Sequence, residues 1–190
     1  LIFSMVFFYP EPTAAAFESE ILSPLQNAAG AMPFAIYPNS VGPLSDPSIL
    51  AGNQSLFWAA SQNQKFGMKS LSESLGVIGL AFKKYHIGLG VSRFGNSNYR
   101  ETRVSLMGSG AYGQIVQVGI SANLYQLSIN YYGQATALGS RINMRYRMNN
   151  RVVSMVSILN ANQPKIGHSE EKLPQVIAAG FLIRPNDKIM

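Results

Sequence analysis

The stretch that decides the fold is "ALGSRINMRYRMNNRVVSMVSILN", Ala137 to Asn160. Its polar side chains share one parity, which holds Arg141, Asn143, Arg145 and Arg147. The other parity is apolar and holds Leu138, Ile142, Met144, Tyr146 and Met148. Because successive side chains of a strand point to opposite faces, this alternation predicts a strand with one cationic face and one apolar face.

The composition favours a chain that is only partly in contact with water. Hydrophobic residues make up 47% of the 190 residues and charged residues 13%, whereas soluble domains usually carry about 25% charged residues. The formal net charge is +6 without a dense Lys/Arg run, so we expect no nucleic-acid partner. Cysteine is absent, which excludes disulfides, thiolate metal sites and cysteine nucleophiles.

The first residues, "LIFSMVFFYPEPTAAAF", have the features of an export signal. An apolar run from Leu1 to Tyr9 precedes prolines and the small residues Ala14, Ala15 and Ala16. The run is too short for a membrane-spanning helix, which needs about 20 residues. We predict residues 1–16 to be a partial signal peptide, with a buried N-terminal strand as the alternative.

Hairpin register shows how the alternation continues between residues 61 and 190. A two-residue turn at Lys83-Lys84 gives one apolar face, with Ile78, Leu80, Phe82, Tyr85, Ile87, Leu89 and Val91. The opposite face is small and polar, with Gly79, Ala81, His86, Gly88, Gly90 and Ser92. A three-residue turn at Ala111–Gly113 sorts the next pair in the same way and places Arg103 on the polar face. A turn at Asn149-Asn150 brings Val152, Ser154, Val156 and Ile158 to the arginine face, which is then only half polar.

These hairpins predict an all-β fold, an antiparallel up-and-down meander that is part of a transmembrane β-barrel. Longer polar stretches, "FGNSNYRE", "QLSINYYGQA" and "NANQPKIGHSEEKLPQ", alternate with the short turns, as they do between the two ends of outer-membrane barrels. Aromatic residues beside the short turns, Phe82, Tyr85 and Tyr146, suit an interfacial girdle. A soluble β-sandwich that binds a partner is the alternative, because it alternates in the same way.

In the barrel, the side chains predicted to line the lumen are Arg103, Arg141, Asn143, Arg145, Arg147 and His86. An arginine facing the middle of the bilayer would cost about 2–4 kcal/mol, so the cationic face points inward. We expect these arginines to solvate the wall or to bond to carbonyl groups of a plug, rather than to attract anions. On this sorting, Leu89→Arg blocks membrane assembly and Gly90→Arg is tolerated better.

The one helix signal is "SDPSILAGN", within residues 17–60. Asp46 can cap the helix, Pro47 suits its first position and Gly52 can end it. We predict a short helix here, in a segment that precedes the strands.

Two long stretches resemble a known family, "GLGVSRFGNSNYRETRVSLMGSGAYG" and "VGISANLYQLSINYYGQATALGSRINMRYRMNNRVVSMVSILNANQPKIG". They are similar to the PorV/PorQ group of FadL-like outer-membrane proteins. The resemblance implies about fourteen strands and a small N-terminal plug, here residues 17–60, with Asp46, Pro47, Ser48 and Asn53 matching the plug pattern. Gln54 and Ser55 depart from its Pro-Ala. It also implies a location in the bacterial outer membrane, among its lipid. The function is then either passage of hydrophobic or amphipathic molecules or an accessory role toward secreted proteins.

No motif predicts an enzyme, a cofactor or a metal. "GSGAYG", Gly108 to Gly113, matches G-x-G-x-x-G but is followed by another alternating strand, so we interpret it as a hairpin turn. His168 lies near Glu170 and Glu171 in a segment that we predict to be an exposed loop. Neither His86 nor His168 has the serine and carboxylate neighbours that a hydrolase needs.

Overall fold

The structure is a computed structural model, and it describes residues 2–8, 16–17, 40–52, 56–167 and 171–183. Its main element is a nine-stranded sheet in which every strand is antiparallel to its neighbours, in the order β1-β11-β8-β7-β6-β5-β4-β3-β2. The strands from β2 to β8 follow one another in space as they do in sequence. The predicted up-and-down meander is therefore confirmed.

The strands are bounded as follows: β1 Ile2–Phe8, β2 Phe57–Gln64, β3 Ser72–Phe82, β4 Tyr85–Gly95, β5 Tyr99–Tyr112, β6 Val116–Ile129, β7 Gly133–Arg147, β8 Val152–Leu159, β9 Lys165–Ile166, β10 Glu171–Lys172 and β11 Val176–Ile183. Strands β9 and β10 form a separate two-stranded sheet. Four short 3₁₀ helices complete the described elements: η1 Gly42–Leu44, η2 Pro47–Gly52, η3 Lys65–Gly67 and η4 Lys69–Leu71. No helix among the described residues is long and apolar enough to cross a membrane.

The two faces of the sheet are sorted as the alternation predicts. Ile87, Leu89, Val118 and Met144 are 53%, 52%, 41% and 44% exposed, so the apolar face is the open one. The opposite face, called the inner face below, holds buried small, polar and cationic side chains. A soluble sandwich would bury its apolar face between two stacked sheets. The second sheet has only two residues in each strand, so the described residues do not form a sandwich.

The first hairpin has the predicted two-residue turn, since Phe82 pairs with Tyr85. The second turn lies further along than predicted, because β5 and β6 continue to the pair Tyr112–Val116 and leave Gly113 to Ile115 as the turn. The faces stay correct, because this shift preserves parity.

The third turn was predicted wrongly. Arg147 pairs with Val153, and the amide of Met148 donates to the carbonyl of Val152 at 3.0 Å. The turn therefore has three residues, 149–151, instead of the predicted two. The extra residue in the turn moves every side chain of β8 to the face opposite the predicted one. The inner face receives Met155, Ser157 and Leu159, which are buried, and Val156 points outward.

Two of the three predicted long loops are tight turns. Residues 96–98 connect β4 to β5 and residues 130–132 connect β6 to β7. The sequence taken as loop is strand instead, so that β5, β6 and β7 reach 14, 14 and 15 residues. These lengths exceed the 9–11 residues of a minimal tilted membrane crossing.

At the N-terminus, Ile2–Phe8 forms strand β1, paired with β11. The alternative of an N-terminal strand therefore describes this segment of the structure, and cleavage of residues 1–16 stays a prediction. Strand β2 begins at Phe57, before the predicted start of the barrel strands at residue 61. β1 and β2 are the edges of the sheet, which is not closed.

Candidate functional site

The described part of the predicted plug, residues 40–52 and hereafter the plug segment, lies on the inner face against strands β3 to β7. The predicted helix is present, but as the six-residue 3₁₀ helix η2. Asp46 directly precedes it and accepts hydrogen bonds at Oδ1 from the backbone N–H of Ser48, at 3.2 Å, and from the Ser48 hydroxyl, at 2.5 Å. Asp46 therefore supports the start of η2, as its position before Pro47 predicts.

The second oxygen of Asp46 binds strand β7. Arg145 donates from Nε to Asp46 Oδ2 at 2.9 Å and also from Nη2, which completes an ion pair. The Asp46 side chain is 0% exposed and that of Arg145 10%. Arg145 Nε also lies 3.1 Å from the Ser48 hydroxyl oxygen. A buried two-point contact of this kind fixes position as well as charge, so the plug segment is attached to β7 at one defined place.

Two further arginines of the inner face bind backbone carbonyls of the plug segment. Arg141 donates from Nη1 to the carbonyl of Ser45, and Arg103 donates from Nη2 to the carbonyl of Leu44 at 3.2 Å. Their side chains are 1% and 3% exposed. Both guanidinium groups therefore bond to carbonyl groups of the plug segment, as we expect for inward-facing arginines.

Glycines of the inner face let the plug segment approach. A Cβ on Gly119 would lie 2.1 Å from the Ser48 nitrogen, and one on Gly90 would lie 2.3 Å from Leu44 Cδ2. An arginine at Gly90 would therefore meet Leu44 of the plug segment, and the expectation that Gly90→Arg is tolerated better than Leu89→Arg stays a prediction. A glycine inside a strand can mark such a close approach of another backbone, which is the sequence signal that would have identified Gly119.

The remaining predicted lumen residues differ in position. Asn143 and His86 are buried on the inner face, at 1% and 8% exposure. Arg147 is exposed at the last residue of β7 and lies outside the buried set. Of the predicted plug residues, Pro47 and Ser48 are buried, whereas Asn53 lies outside the described residues.

The plug segment also packs through apolar side chains. Val41, Leu44 and Leu50 form one buried cluster with residues of β3 and β5, namely Leu75, Val77 and Met107. Two asparagine side chains of the wall have amide atoms without a hydrogen bond among the described residues. Asn143 has neither amide atom in a hydrogen bond within the described part of the chain, and the same holds for Nδ2 of Asn123. The plug segment thus binds the guanidinium groups of Arg103, Arg141 and Arg145 but not these amides.

The described parts of the connection from β8 to β11, residues 160–167 and 171–175, cover the inner face near the turn at 130–132. The sequence predicts an exposed loop within this connection, at residues 164–172. Ile166 and Leu173 are 2% and 3% exposed and pack with Tyr125 and Ala137 of the wall. The Tyr125 hydroxyl donates to Asn160 Oδ1 at 2.9 Å, and Asn160 Nδ2 donates to the carbonyl of Pro174 at 2.8 Å. The prediction of an exposed loop at residues 164–172 was wrong for Ile166, while Lys165 and Gly167 are exposed. His168 and Glu170 lie outside the described residues.

The outer face changes from apolar to polar along one register row. The row Gln62, Ser74, Arg93, Thr102, Gln126 and Thr136 is polar in all six strands from β2 to β7, and we call it the polar row. The next outward-facing row toward the short turns is Ala60, Gly76, Val91, Val104, Leu124 and Leu138, without a polar side chain. From there the face stays largely apolar as far as the exposed aromatics Phe82, Tyr85, Tyr112 and Tyr146.

The height of this apolar band follows from strand β5. Eight residue steps separate Val104 from Tyr112, or about 27 Å along the strand. With a strand tilt of 35–45°, that length gives a band of roughly 19–22 Å, near the ~25 Å of membrane barrels.

The inner face has the chemistry of an anchoring site. Its described cations hold carbonyl and carboxylate groups of the same chain, and no group of three or more His, Cys, Asp or Glu among the described residues could hold a metal ion.

Comparison with known proteins adds little. No protein-family model matches the chain, and no curated protein matches it. Among solved structures, the crystal structure of Neisserial surface protein A (NspA) is similar over 67% of this chain and 92% of that chain, with 11% sequence identity and a TM-score of 0.32. A similarity of this size carries no argument about fold or function.

Proposed function

We propose that the chain forms a wall of a transmembrane β-barrel in a bacterial outer membrane, with a plug attached to its inner face. The observation that carries the proposal is the outer face, an apolar band that ends at the polar row. Monomeric soluble proteins rarely expose an apolar patch beyond about 300–600 Å². Here the band runs over six adjacent strands, with Leu106 62% and Ile120 57% exposed.

Hydrocarbon explains this arrangement better than water does. In lipid, the backbone polar groups must be satisfied within the sheet, and closed barrels achieve this with strands. Apolar side chains outside and polar side chains inside are the normal order for such barrels and the reverse of a soluble core. The open edges at β1 and β2 then require further strands to close the barrel.

Within this class, we propose an accessory of protein secretion, of the PorV/PorQ type that the sequence resembles, rather than a passage for small molecules. The inner face supports it in two places. The plug segment is held by Arg103, Arg141 and Arg145. Ile166 and Leu173 of the connection from β8 to β11 cover the wall near the turn at 130–132. A wall occupied in this way suits a scaffold that presents its loops to exported proteins.

A passage for hydrophobic or amphipathic molecules is the second candidate. Its support is the apolar inner face of β8 and β11, where Met155, Ala178 and Leu182 form a buried cluster. In both candidates the protein is not an enzyme, uses no cofactor and does not bind nucleic acid.

Trp58 provides the test of the membrane placement. It is the one tryptophan of the 190 residues, and it lies on the outer face of β2, 77% exposed. We expect phospholipids brominated along their acyl chains to quench its fluorescence strongly when the full-length protein is reconstituted in them. Quenching only by a water-soluble quencher such as acrylamide would reject the placement.

Vesicle uptake separates the two functional candidates. For the accessory, vesicles with the wild-type protein take up a fluorescent fatty acid no faster than empty vesicles do. Uptake that rises with protein content, and falls when Met155 is replaced by a charged residue, would favour the passage instead.

A further inference from the structure

We propose that the outer face carries a binding site for lipid A, with an acyl chain in an apolar groove at Gly76 and a phosphate on Arg93 and Arg100. The inference rests on the proposed placement in a bacterial outer membrane. It adds a specific ligand to a face for which placement alone requires only general contact with lipid.

The groove exists because Gly76 has no side chain. It has a volume of about 330 Å³ and is lined by Ala59, Gly76, Val77, Ile78, Leu89, Gly90, Val91 and Val104. This volume is at the lower end of the ~300–1,000 Å³ typical of small-molecule sites. Gly76, Ile78, Leu89, Val91 and Val104 have the parity of the outer face, and Ala59, Val77 and Gly90 that of the inner face. The side chains on the outer face are aliphatic or absent, so the groove suits a hydrocarbon chain.

The cations lie directly beside the groove. Arg93 follows the groove residue Val91 by two positions on β4, about 7 Å along the strand. Its partner across the ladder is Thr102, so Arg100 is its diagonal neighbour on β5. Diagonal neighbours are about 7–8 Å apart, which lets two long side chains reach one phosphate.

Among the described residues, no carboxylate pairs with either guanidinium group. Arg93 and Arg100 make no ion pair or side-chain hydrogen bond with the described residues, and Arg93 is exposed. The two glutamates of the described strands β2 to β8 are Glu73 and Glu101, and both have the parity of the inner face. Guanidinium groups bind carboxylate and phosphate groups in a bidentate manner, and of these two groups a membrane lipid supplies the phosphate.

The order of the two parts selects the ligand. Along the strands, the two guanidinium groups lie at and beyond the polar row, and the groove lies next to them on the side of the short turns. A phosphorylated lipid has the same order, headgroup first and acyl chain next. The end with residues 160–175 carries the longest described connection, which in outer-membrane barrels is the external side. The lipid of the external leaflet is lipid A, which is phosphorylated and multiply acylated.

Displacement at Trp58 tests the proposal. Trp58 pairs with the groove residue Ile78, so a brominated chain in the groove quenches it. The full-length protein is reconstituted in brominated phosphatidylcholine and titrated with unbrominated lipid A, with lipid A freed of its phosphates, or with phosphatidylglycerol. We expect lipid A to restore the fluorescence at a mole fraction about fivefold lower, for each guanidinium engaged, than the dephosphorylated lipid needs. Arg93→Gln with Arg100→Gln should abolish this difference.

Gly76→Leu tests the groove. A Cβ at Gly76 meets only Val91 Cγ1, at 3.6 Å, so the substitution is compatible with the fold. Gly108→Leu is the matched control, because Gly108 lies on the same face away from the groove and its Cβ would meet only Ile120 Cγ1, at 3.8 Å. We expect Gly76→Leu to raise the lipid A fraction needed severalfold, and Gly108→Leu to leave it unchanged.

Three results would overturn the site while the barrel stands: equal displacement by lipid A and its dephosphorylated form, equal displacement by phosphatidylglycerol, or equal effects of the two leucine variants. Absence of any quenching of wild-type Trp58 by brominated lipid would instead reject the membrane placement, and the lipid site with it.

Discussion

Arg145→Gln isolates the contribution of the ion pair to docking of the plug segment. Asp46 Oδ1 is bonded by Ser48, so the pair with Arg145 serves Oδ2 alone. In the variant Oδ2 loses both charged donors, while Asp46 stays 0% exposed in the docked state. Removing one partner of a buried pair costs about 3–5 kcal/mol. The fraction of molecules with an undocked plug segment should therefore rise by roughly two to four powers of ten.

Hydrogen exchange of residues 40–52 measures this population, because undocking exposes amides that the docked segment protects. The amides of Ser45 and Asp46, for example, donate to the carbonyl of Gly42 at 3.0 and 2.9 Å. We expect their protection to fall steeply in Arg145→Gln while strands β5 and β6 keep theirs. Arg147→Gln is the control, since it removes the same charge from the same strand at an exposed position.

A double-mutant cycle then separates the pair from its parts. Asp46→Asn together with Arg145→Gln leaves no buried charge without a partner, so the double variant should be less perturbed than the sum of the single ones. Unchanged exchange of residues 40–52 in Arg145→Gln would refute the reasoning, since the plug segment would then be held by its apolar contacts alone.

Three further variants test the wall. Gly119→Ala places a Cβ 2.1 Å from the plug backbone and should expose residues 40–52 to exchange, at a cost of about 1–3 kcal/mol; Gly108→Ala, on the outer face, should not. Leu89→Arg puts a cation in the apolar band, which costs about 2–4 kcal/mol, and it should prevent formation of the heat-modifiable folded form on a gel. Thr102→Arg, in the polar row, should fold normally. Equal assembly of the two variants would contradict the apolar band. Tyr125→Phe removes the hydrogen bond to the connection at 160–175, worth about 1 kcal/mol, and should raise protease cleavage of that connection without changing the plug segment.

Side-chain parity could be derived from the sequence wherever one face was clearly apolar. Strands β3 to β7 were sorted correctly even though the second turn was misplaced, because Gly108 and Ile120 face outward in either register. Strand β8 was sorted wrongly because "VVSMVSIL" has three apolar residues and one serine on each face. Its pattern could not correct the turn, and one extra residue reversed it.

The sequence predicts the groups that attach the plug segment but not their pairing. The capping signal at Asp46 and the inward arginines were both readable locally. Their pairing joins residues 99 positions apart, and no local pattern carries that information. The local sequence of residues 160–175 is also uninformative, because most of it is polar. The buried contacts of Ile166 and Leu173 are made with wall residues more than 20 positions away.

The direction of the edge strands constrains how the barrel is completed. All neighbouring pairs in the nine-stranded sheet are antiparallel, so β1 and β2, at opposite edges, run in the same direction. Joining them directly would create a parallel pair, which bacterial single-chain barrels avoid by having an even number of strands. Closure with antiparallel pairs alone needs an odd number of further strands. Five would give the fourteen that the sequence resemblance implies, a total that this parity allows along with every other even number above nine.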